Sequence, residues 1–174
     1  ARTVIARIRA GGVGYVDSQG NMWSTYTGLF TPTNVTTENW GDTPEANTAD
    51  PQLYQTYRGR IPGSSSSLFQ RTLTYQIPVG SYTTVDVRLH FAENYWGAPG
   101  LGVGGTGRRV FDVTVEGNKL LDNFDINGAA GGARTAVVVP IERVSVKDGF
   151  LTVQLHNTEI DYPAISAIEV LASP

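Results

Sequence analysis

The sequence predicts an all-β fold, an antiparallel β-sandwich of the jelly-roll type with about nine or ten strands. Apolar and polar residues alternate in several short segments, which is the period of a half-buried strand. No window shows the spacing of an amphipathic helix. Twenty glycines and nine prolines supply frequent turns. We expect the long loops to gather at one end of the sandwich.

The clearest predicted strand covers residues 82–91. Its apolar side chains share one face: Val85, Val87, Leu89 and Phe91. Its polar side chains share the other face: Thr84, Asp86, Arg88 and His90. This alternation predicts a strand with one face on the core and the other toward solvent.

Two further segments, 111–116 and 151–156, alternate in the same way. The sequence Glu116-Gly117-Asn118-Lys119 predicts a hairpin turn after the first, and Lys147-Asp148-Gly149 predicts a turn before the second. Additional strands are predicted at residues 4–9, 52–57, 73–77, 136–146 and 164–171.

The composition indicates one domain over residues 1–174. A chain of this length buries about 70% of its unfolded surface, so a core forms without disulfides, and the sequence has no cysteine. A net charge of −3 with 13 Lys and Arg argues against nucleic acid and anionic membranes as partners. No apolar run approaches the roughly 20 residues that span a bilayer. Because the chain opens at Ala1 rather than methionine, we expect a domain of a longer protein.

Three long connections interrupt the pattern, at residues 11–50, 59–69 and 97–107, and loops of this length usually carry function. Aromatic side chains lie in or near them: Trp23, Tyr26, Phe30, Trp40, Tyr54, Tyr57, Tyr95, Trp96 and Tyr162. Because loops from one end of a sandwich converge, several of these rings can form one cleft. The alternative is that they pin the loops to the core.

Tyr95 and Trp96 are adjacent at the end of the clearest strand. Neighbours on a strand point to opposite faces, so one ring is exposed or the backbone bends. An exposed ring on a rigid rim suits the flat faces of sugars. The alternative is that both rings close the end of the core.

Two carboxylates are candidates for polar contacts. Asp161 can accept sugar hydroxyls or form a turn with its own backbone. Glu93 can bind hydroxyls, act as a catalytic acid, or pair with Arg58 or Arg109. A glycosidase needs two carboxylates across a cleft, and Glu93 with Asp161 is the pair that we nominate.

No cofactor is predicted. His90 and His156 lack the spacing of zinc ligands. A structural calcium is an open alternative, because residues 17–21 and 121–125 bring several oxygens together, although neither has the EF-hand spacing.

The chain resembles the malectin and malectin-like domains over nearly its whole length. The stretches that carry the resemblance are Ala10-Gly11-Gly12, Asp17-Ser18-Gln19-Gly20-Asn21-Met22-Trp23, Leu53-Tyr54-Gln55-Thr56, Phe91-Ala92-Glu93-Asn94-Tyr95-Trp96, Arg109-Val110-Phe111-Asp112-Val113, Leu121-Asp122-Asn123-Phe124-Asp125-Ile126 and Pro163-Ala164-Ile165-Ser166-Ala167-Ile168-Glu169-Val170. The resemblance implies a β-sandwich lectin of jelly-roll type for short glucose-containing oligosaccharides. Its bacterial members are appended to carbohydrate-active enzymes and surface proteins.

The family's sugar site implies roles for aligned residues. Trp23 matches an aromatic after the Asp-x-x-Gly turn, Tyr95 and Trp96 match the aromatic pair after Ala-Glu, and Asp161 matches the aspartate before the Asn/Tyr-Pro step. One position departs from the pattern. The animal members have a further tyrosine where this chain has Gly59. Tyr57, two residues earlier, is the candidate to take the place of that tyrosine.

The resulting prediction is a non-catalytic carbohydrate-binding module for oligosaccharide or polysaccharide. Its predicted binding residues are Trp23, Tyr57, Glu93, Asn94, Tyr95, Trp96, Asp161 and Tyr162. The resemblance implies an extracellular, cell-surface or periplasmic location and attachment to a catalytic or surface domain. The alternatives are a small glycoside hydrolase or lyase using Glu93 and Asp161, and a protein-interaction or adhesion module.

Overall fold

Two β-sheets face each other across an apolar core in the computed structural model of the chain, which describes residues 2–27, 35–41, 44–60 and 72–174. The strands in chain order are β1 (Val4–Arg9), β2 (Tyr15–Val16), β3 (Met22–Thr25), β4 (Val35–Asn39), β5 (Thr56–Arg60), β6 (Thr72–Pro78), β7 (Thr84–Phe91), β8 (Val110–Val115), β9 (Asn118–Phe124), β10 (Val137–Ser145), β11 (Phe150–Ile160), β12 (Ala164–Ile165) and β13 (Ala167–Ala172). Two short helices are α1 (Pro51–Tyr54) and α2 (Ile126–Ala130).

The larger sheet has the order β10-β7-β13-β1-β3-β2, and the sheet opposite has the order β6-β11-β8-β9. A third sheet of order β12-β5-β4 adjoins them. Among the described strands, pairing is antiparallel except between β1 and β3, which run parallel. The predicted all-β sandwich is therefore confirmed, with one parallel pair that the sequence pattern did not indicate.

The core forms where alternating side chains of the two sheets meet. The four apolar residues predicted to share one face of β7 are all fully buried. The ring of Phe91 on β7 lies 4.9 Å from the ring of Phe124 and 6.0 Å from that of Phe111, both on the opposite sheet. Each side chain of this size contributes roughly 1.5–3 kcal/mol to stability by burial.

The predicted hairpin between β8 and β9 is confirmed. Glu116 and Gly117 both have positive φ, 50° and 76°. Two central residues with positive φ make the type of turn whose twist matches the flanking strands.

Two predicted strands differ from the structure. Residues 51–54 form the single helical turn α1, because Pro51 sets the helical φ at a position where no backbone N–H is needed. The strand predicted over 164–171 breaks at Ser166: β12 pairs with β5, and β13 pairs with β7 and β1. The sequence pattern did not predict α2, which Asp125 caps by accepting a hydrogen bond from Gly128 N at 3.1 Å.

The outer face of β7 is not solvent-exposed at His90, contrary to the alternation. A second apolar cluster covers it, formed by Trp23, Leu53, Tyr54, Ala92, Ala136 and Ala167. His90 Nδ1 and Tyr54 Oη are joined by a 2.8 Å hydrogen bond, and the Trp23 ring lies 5.2 Å from the imidazole. Burial lowers the pKa of His90 to about 4. Neither of the described helices has the length or hydropathy to cross a membrane.

His90 makes folding stability depend on pH. In the unfolded chain a histidine binds its proton near pH 6.5, whereas folded His90 binds it only near pH 4. Stability is therefore lost as the pH falls from 6.5 to 4, by on the order of 3 kcal/mol. Urea unfolding at pH 7 and pH 4 measures the loss. His90→Gln removes the histidine's contribution to the pH dependence, so the variant should lose less stability between pH 7 and pH 4 than the parent chain. Equal losses in both would contradict the low pKa of His90.

Candidate functional site

A buried arginine stands at the centre of the residues that the sequence analysis singled out. Arg109, just before β8, is only 2% exposed. Its Nε donates to Glu93 Oε2 at 2.6 Å, and its Nη1 donates to the carbonyl oxygen of Tyr162 at 2.7 Å. The same Nη1 lies 3.5 Å from Asp161 Oδ2. One guanidinium thus joins the segment after β7, the start of β8 and the turn after β11.

Two tyrosine rings also contact this guanidinium. Arg109 Cζ lies 4.7 Å from the ring centroid of Tyr162 and 5.6 Å from that of Tyr57, within the range of cation–π attraction. Burial acts to lower the pKa of Arg109, but the carboxylates of Glu93 and Asp161 outweigh it and raise that pKa above its ordinary value. Arg109 therefore stays positively charged although it is buried.

Glu93 orients the backbone of the aromatic pair. Its Oε1 accepts hydrogen bonds from the backbone N–H groups of Tyr95 at 3.0 Å and Trp96 at 3.1 Å. The side chain is fully buried. The interpretation of Glu93 as an acceptor for sugar hydroxyls is therefore corrected: its oxygens are held by Arg109 and the backbone. Of the predicted alternatives, the ion pair with Arg109 is the one observed.

Asn94 also faces inward. It is fully buried, and its Nδ2 donates to the carbonyl oxygen of Tyr54 at 2.8 Å. This bond ties the segment after β7 to α1. The predicted direct contact between Asn94 and a sugar is not available in this arrangement, because the side chain does not reach the surface.

Tyr95 and Trp96 form the exposed rim of the cluster. Tyr95 is 37% exposed and Trp96 is half-buried. Their rings meet edge to face, with centroids 4.9 Å apart and planes at 82°. Trp96 Nε1 donates to Asp161 Oδ2 at 2.5 Å. The indole is thus fixed by a carboxylate that Arg109 in turn neutralises.

Asp161 adopts a left-handed backbone conformation, with φ +61°. Aspartate tolerates this region better than most residues because its side chain bonds the local backbone. Its Oδ1 accepts from the backbone N–H of Tyr162 at 2.8 Å. The side chain stays partly exposed at the rim.

The glycine-rich loop after Trp96 folds back under both rings. Gly97 N donates to Gly102 O at 2.8 Å, and Gly102 N donates to Tyr95 O at 3.0 Å. A Cβ at Gly102 would lie 2.5 Å from Trp96 Cε3 and 2.6 Å from Tyr95 Cε1. Only glycine allows the rings to rest on this backbone. The loop is therefore a shaped support for the aromatic pair.

Gly59 explains the departure from the family pattern. A Cβ at this position would lie 2.7 Å from Tyr162 Cε2. The Tyr162 ring occupies the space that a side chain at residue 59 would need. A tyrosine at 59 would displace Tyr162 and with it the contact to Arg109.

Trp23 and Tyr57 do not reach the rim. Trp23 is buried in the outer cluster on β3, and its Nε1 donates to Asp17 Oδ2 at 3.0 Å. The prediction that its ring lies in the same cleft is therefore corrected, because the indole packs against the outer face of the large sheet. Tyr57 is fully buried beneath Arg109 and cannot stack on a ligand. Phe30 lies outside the described residues.

Two neighbours of the rim are not among the predicted binding residues, although Trp40 was one of the loop aromatics considered for the cleft. The Trp40 ring lies 6.2 Å from that of Tyr57 and 6.1 Å from that of Tyr95, so it links the buried and exposed rings. Arg108 Cζ lies 4.6 Å from the Trp96 ring centroid. The paired arginines after a glycine-rich loop were the available signal for the second of these contacts.

The predicted calcium positions are occupied by other interactions. Asp17 Oδ1 accepts from the backbone N–H groups of Gln19 and Asn21, which makes a turn. Asp125 caps α2. Within the ranges that the structure describes, no group of three or more His, Asp or Glu side chains could hold a metal ion.

A family model described as "Malectin domain" matches residues 4–168. The chain belongs to the malectin family. As a malectin domain it is a binding module and not an enzyme, which agrees with the burial of Glu93 in an ion pair. The hydrolase alternative required Glu93 to face Asp161 across a cleft; instead both carboxylates contact one guanidinium.

Several proteins similar to this malectin domain are plant receptor proteins. A probable leucine-rich repeat receptor-like serine/threonine-protein kinase of Arabidopsis thaliana is 31% identical over 149 residues, covering 82% of this chain and 14% of the kinase. The extracellular domain of ANXUR1 from Arabidopsis thaliana superposes with a TM-score of 0.81 at 18% identity, covering 97% of this chain and 48% of that one.

A further solved structure of similar fold is that of the plant peptide RALF23 in complex with FER and LLG2. The superposition has a TM-score of 0.76 at 17% identity and covers 97% of this chain and 48% of that one. The chain thus spans about half of these solved structures and about one-seventh of the kinase. The ANXUR1 structure is that of an extracellular domain, which agrees with the predicted extracellular or cell-surface location.

The Arg109 ion pair should be a large contributor to stability. Glu93→Gln or Arg109→Met leaves an uncompensated buried charge, so we expect each to lower the free energy of unfolding by about 3–5 kcal/mol. Arg88→Met is the matched control, since Arg88 is exposed and pairs with Glu169; it should cost no more than about 1 kcal/mol. Urea unfolding measures all three. Similar losses for Glu93→Gln and Arg88→Met would refute the central role of Arg109.

Proposed function

We propose that this malectin domain binds glucose-containing oligosaccharides or glucans at the rim formed by Tyr95, Trp96 and Asp161. The observation that carries the proposal is the exposed Tyr95–Trp96 pair, held against Asp161 by the indole N–H. A sugar ring presents a flat C–H face to such aromatics and hydroxyls to a neighbouring carboxylate.

The energetics of the rim suit a weak lectin. Aromatic contacts contribute roughly 0.5–1.5 kcal/mol each beyond burial. After the cost of association, a few of them with one charge-assisted hydrogen bond imply a Kd between about 1 mM and 1 µM. Asp161 Oδ1 accepts one backbone N–H, which leaves a lone pair for a hydroxyl.

The remaining predicted residues act from behind the rim in this proposal. Glu93 and Asn94 hold the backbone of the aromatic pair, and Tyr57 and Tyr162 pack on Arg109. Such buried support fixes the rings before a ligand arrives, which reduces the entropy lost on binding. These side chains are positioning residues, whereas Trp23 stabilises the other face of the large sheet.

Membership of a longer protein stays a prediction. We infer that residues 1–174 form one domain of a longer cell-surface or secreted protein, as the partial coverage of the relatives suggests. Carbohydrate binding would then recruit or anchor the remaining domains.

Calorimetry with glucose-containing disaccharides and longer glucans tests the site. We expect Tyr95→Ala and Trp96→Ala to weaken binding by at least about tenfold, since each removes a stacking contact of about 1.4 kcal/mol. Asp161→Asn should also weaken binding, through loss of the charged acceptor. Tyr82→Ala is the matched control. Tyr82 is a tyrosine of similar exposure, 41%, but it lies before β7, whereas the rim residue Tyr95 lies after it. Binding that survives all three rim variants would rule out this location.

A second candidate is recognition of a protein or peptide at the same rim. The loop that supports the aromatic pair exposes two aliphatic side chains beside it, Leu101 and Val103, the latter 86% exposed. Exposed apolar residues grouped around aromatics are typical of protein interfaces.

A single substitution separates the two candidates. Val103→Ser removes an apolar contact without altering the aromatic pair. We expect it to leave sugar affinity unchanged within about twofold, because one exposed methyl-bearing side chain contributes little to a stacked sugar. A variant that loses affinity for an extracellular protein ligand while retaining the rim rings would favour the protein-binding function instead.

A further inference from the structure

The aromatic pair of the rim presents two ring planes that no single sugar can cover. The planes of Tyr95 and Trp96 stand at 82°, with ring centroids 4.9 Å apart. A flat sugar ring stacks on one plane at a time, so two adjoining sugar units are needed to use both aromatic rings. The rim therefore contains two stacking positions, one on each ring.

A cation covers one of these positions. The guanidinium of Arg108 lies over the Trp96 ring, with Cζ 4.6 Å from the ring centroid. This distance is within the range of cation–π attraction, and a planar guanidinium stacks well on an aromatic face. Tyr95 is 37% exposed, and among the described residues no arginine or lysine lies over its ring.

The glycine-rich loop places Arg108 over the indole. A Cβ at Gly104 would lie 3.0 Å from Arg108 Cγ and 3.2 Å from its Cδ, so the stem of the arginine runs along the Gly104 backbone. Gly104 has a φ of +108°, a conformation that glycine adopts and other residues rarely do. Arg108 N also donates to Gly105 O at 3.2 Å. The loop that supports the aromatic pair thus also positions the cation.

The contact is weak enough for a ligand to displace it. Arg108 is exposed. Within the part of the chain that the structure describes, it forms no ion pair with a carboxylate. Asp161, the carboxylate of the rim, contacts the Trp96 indole and Arg109 instead. A cation–π contact at an exposed site changes an equilibrium by only about two- to fivefold.

We infer that Arg108 is a specificity-determining residue of the rim, which leaves one stacking position open in the ligand-free domain; the inference rests on the proposed function. A single sugar stacks on Tyr95 and leaves Arg108 in place. A longer oligosaccharide also reaches Trp96, and its second ring displaces the guanidinium. Arg108 therefore lowers the affinity for oligosaccharides but not for single sugars.

Fluorine NMR of the chain labelled with 5-fluorotryptophan tests the cover without any ligand. The chain has three tryptophans, so three signals are expected, and Trp96→Phe identifies the one from Trp96. We expect Arg108→Ala to shift that signal and to increase its H₂O/D₂O isotope shift, because the ring gains contact with solvent. Arg88→Ala is the matched control. Arg88 is also exposed but pairs with Glu169 on the large sheet, so its loss should leave the Trp96 signal unchanged.

Titration of the ¹⁵N-labelled chain with glucose, maltotriose and cellotriose tests the selectivity. We expect Arg108→Ala to raise the affinity for the trisaccharides that bind by about two- to fivefold, because the guanidinium no longer has to be displaced. The affinity for glucose should stay unchanged, since glucose stacks on Tyr95. In the parent chain a bound trisaccharide should shift the fluorine signal of Trp96, whereas glucose should not.

Three outcomes would overturn the inference. An unchanged Trp96 signal in Arg108→Ala would show that the guanidinium does not cover the ring. A gain in affinity that is absent, or equal for glucose and the trisaccharides, would show that Arg108 does not select ligand length. Weaker trisaccharide binding in Arg108→Ala would make Arg108 a direct ligand contact.

Failure of the proposed function gives a different pattern. If neither the parent chain nor Arg108→Ala binds a sugar, the rim is not a sugar site. The fluorine signals then decide on the cover by themselves. A shift of the Trp96 signal in Arg108→Ala supports it, and an unchanged signal overturns it.

Discussion

The buried guanidinium of Arg109 is the constraint on which the candidate site depends. A charge that is taken out of water must be paired, so Glu93 and Asp161 are drawn to it from segments far apart in sequence. Both carboxylates also hold the aromatic pair: Glu93 accepts from two backbone N–H groups, and Asp161 accepts from the indole of Trp96. The position of the exposed rings is therefore a consequence of electrostatics in the layer beneath them.

Glycines complete this arrangement where side chains would interfere. Gly102 lets the rings of Tyr95 and Trp96 rest on backbone, and Gly59 leaves room for Tyr162. The two buried arginines differ in how their charge is balanced. The protein itself neutralises Arg109, which serves structure, whereas Arg9 lines an open cavity with its charge unbalanced among the described residues.

Much of the sandwich could be predicted because a strand's burial pattern is local. Strand β1 was predicted at its observed bounds, and the alternation in β7 identified four core residues. The hairpin after β8 followed from turn chemistry alone. The helical turn α1 escaped prediction because its apolar residues Leu53 and Tyr54 fit a short strand equally well, and the choice was made by Pro51 and by packing on His90.

The sequence by itself determined the fold class and the family, and it nominated Tyr95, Trp96 and Asp161 as binding residues, because these inferences depend on residue type and order. Only the tertiary structure decided which polar groups face inward. Glu93 and Asn94 are adjacent to the exposed rings in sequence yet fully buried, and Trp23 packs on the opposite side of a sheet. Burial of a polar side chain depends on partners such as Arg109, contributed by distant segments, and no local pattern records that pairing.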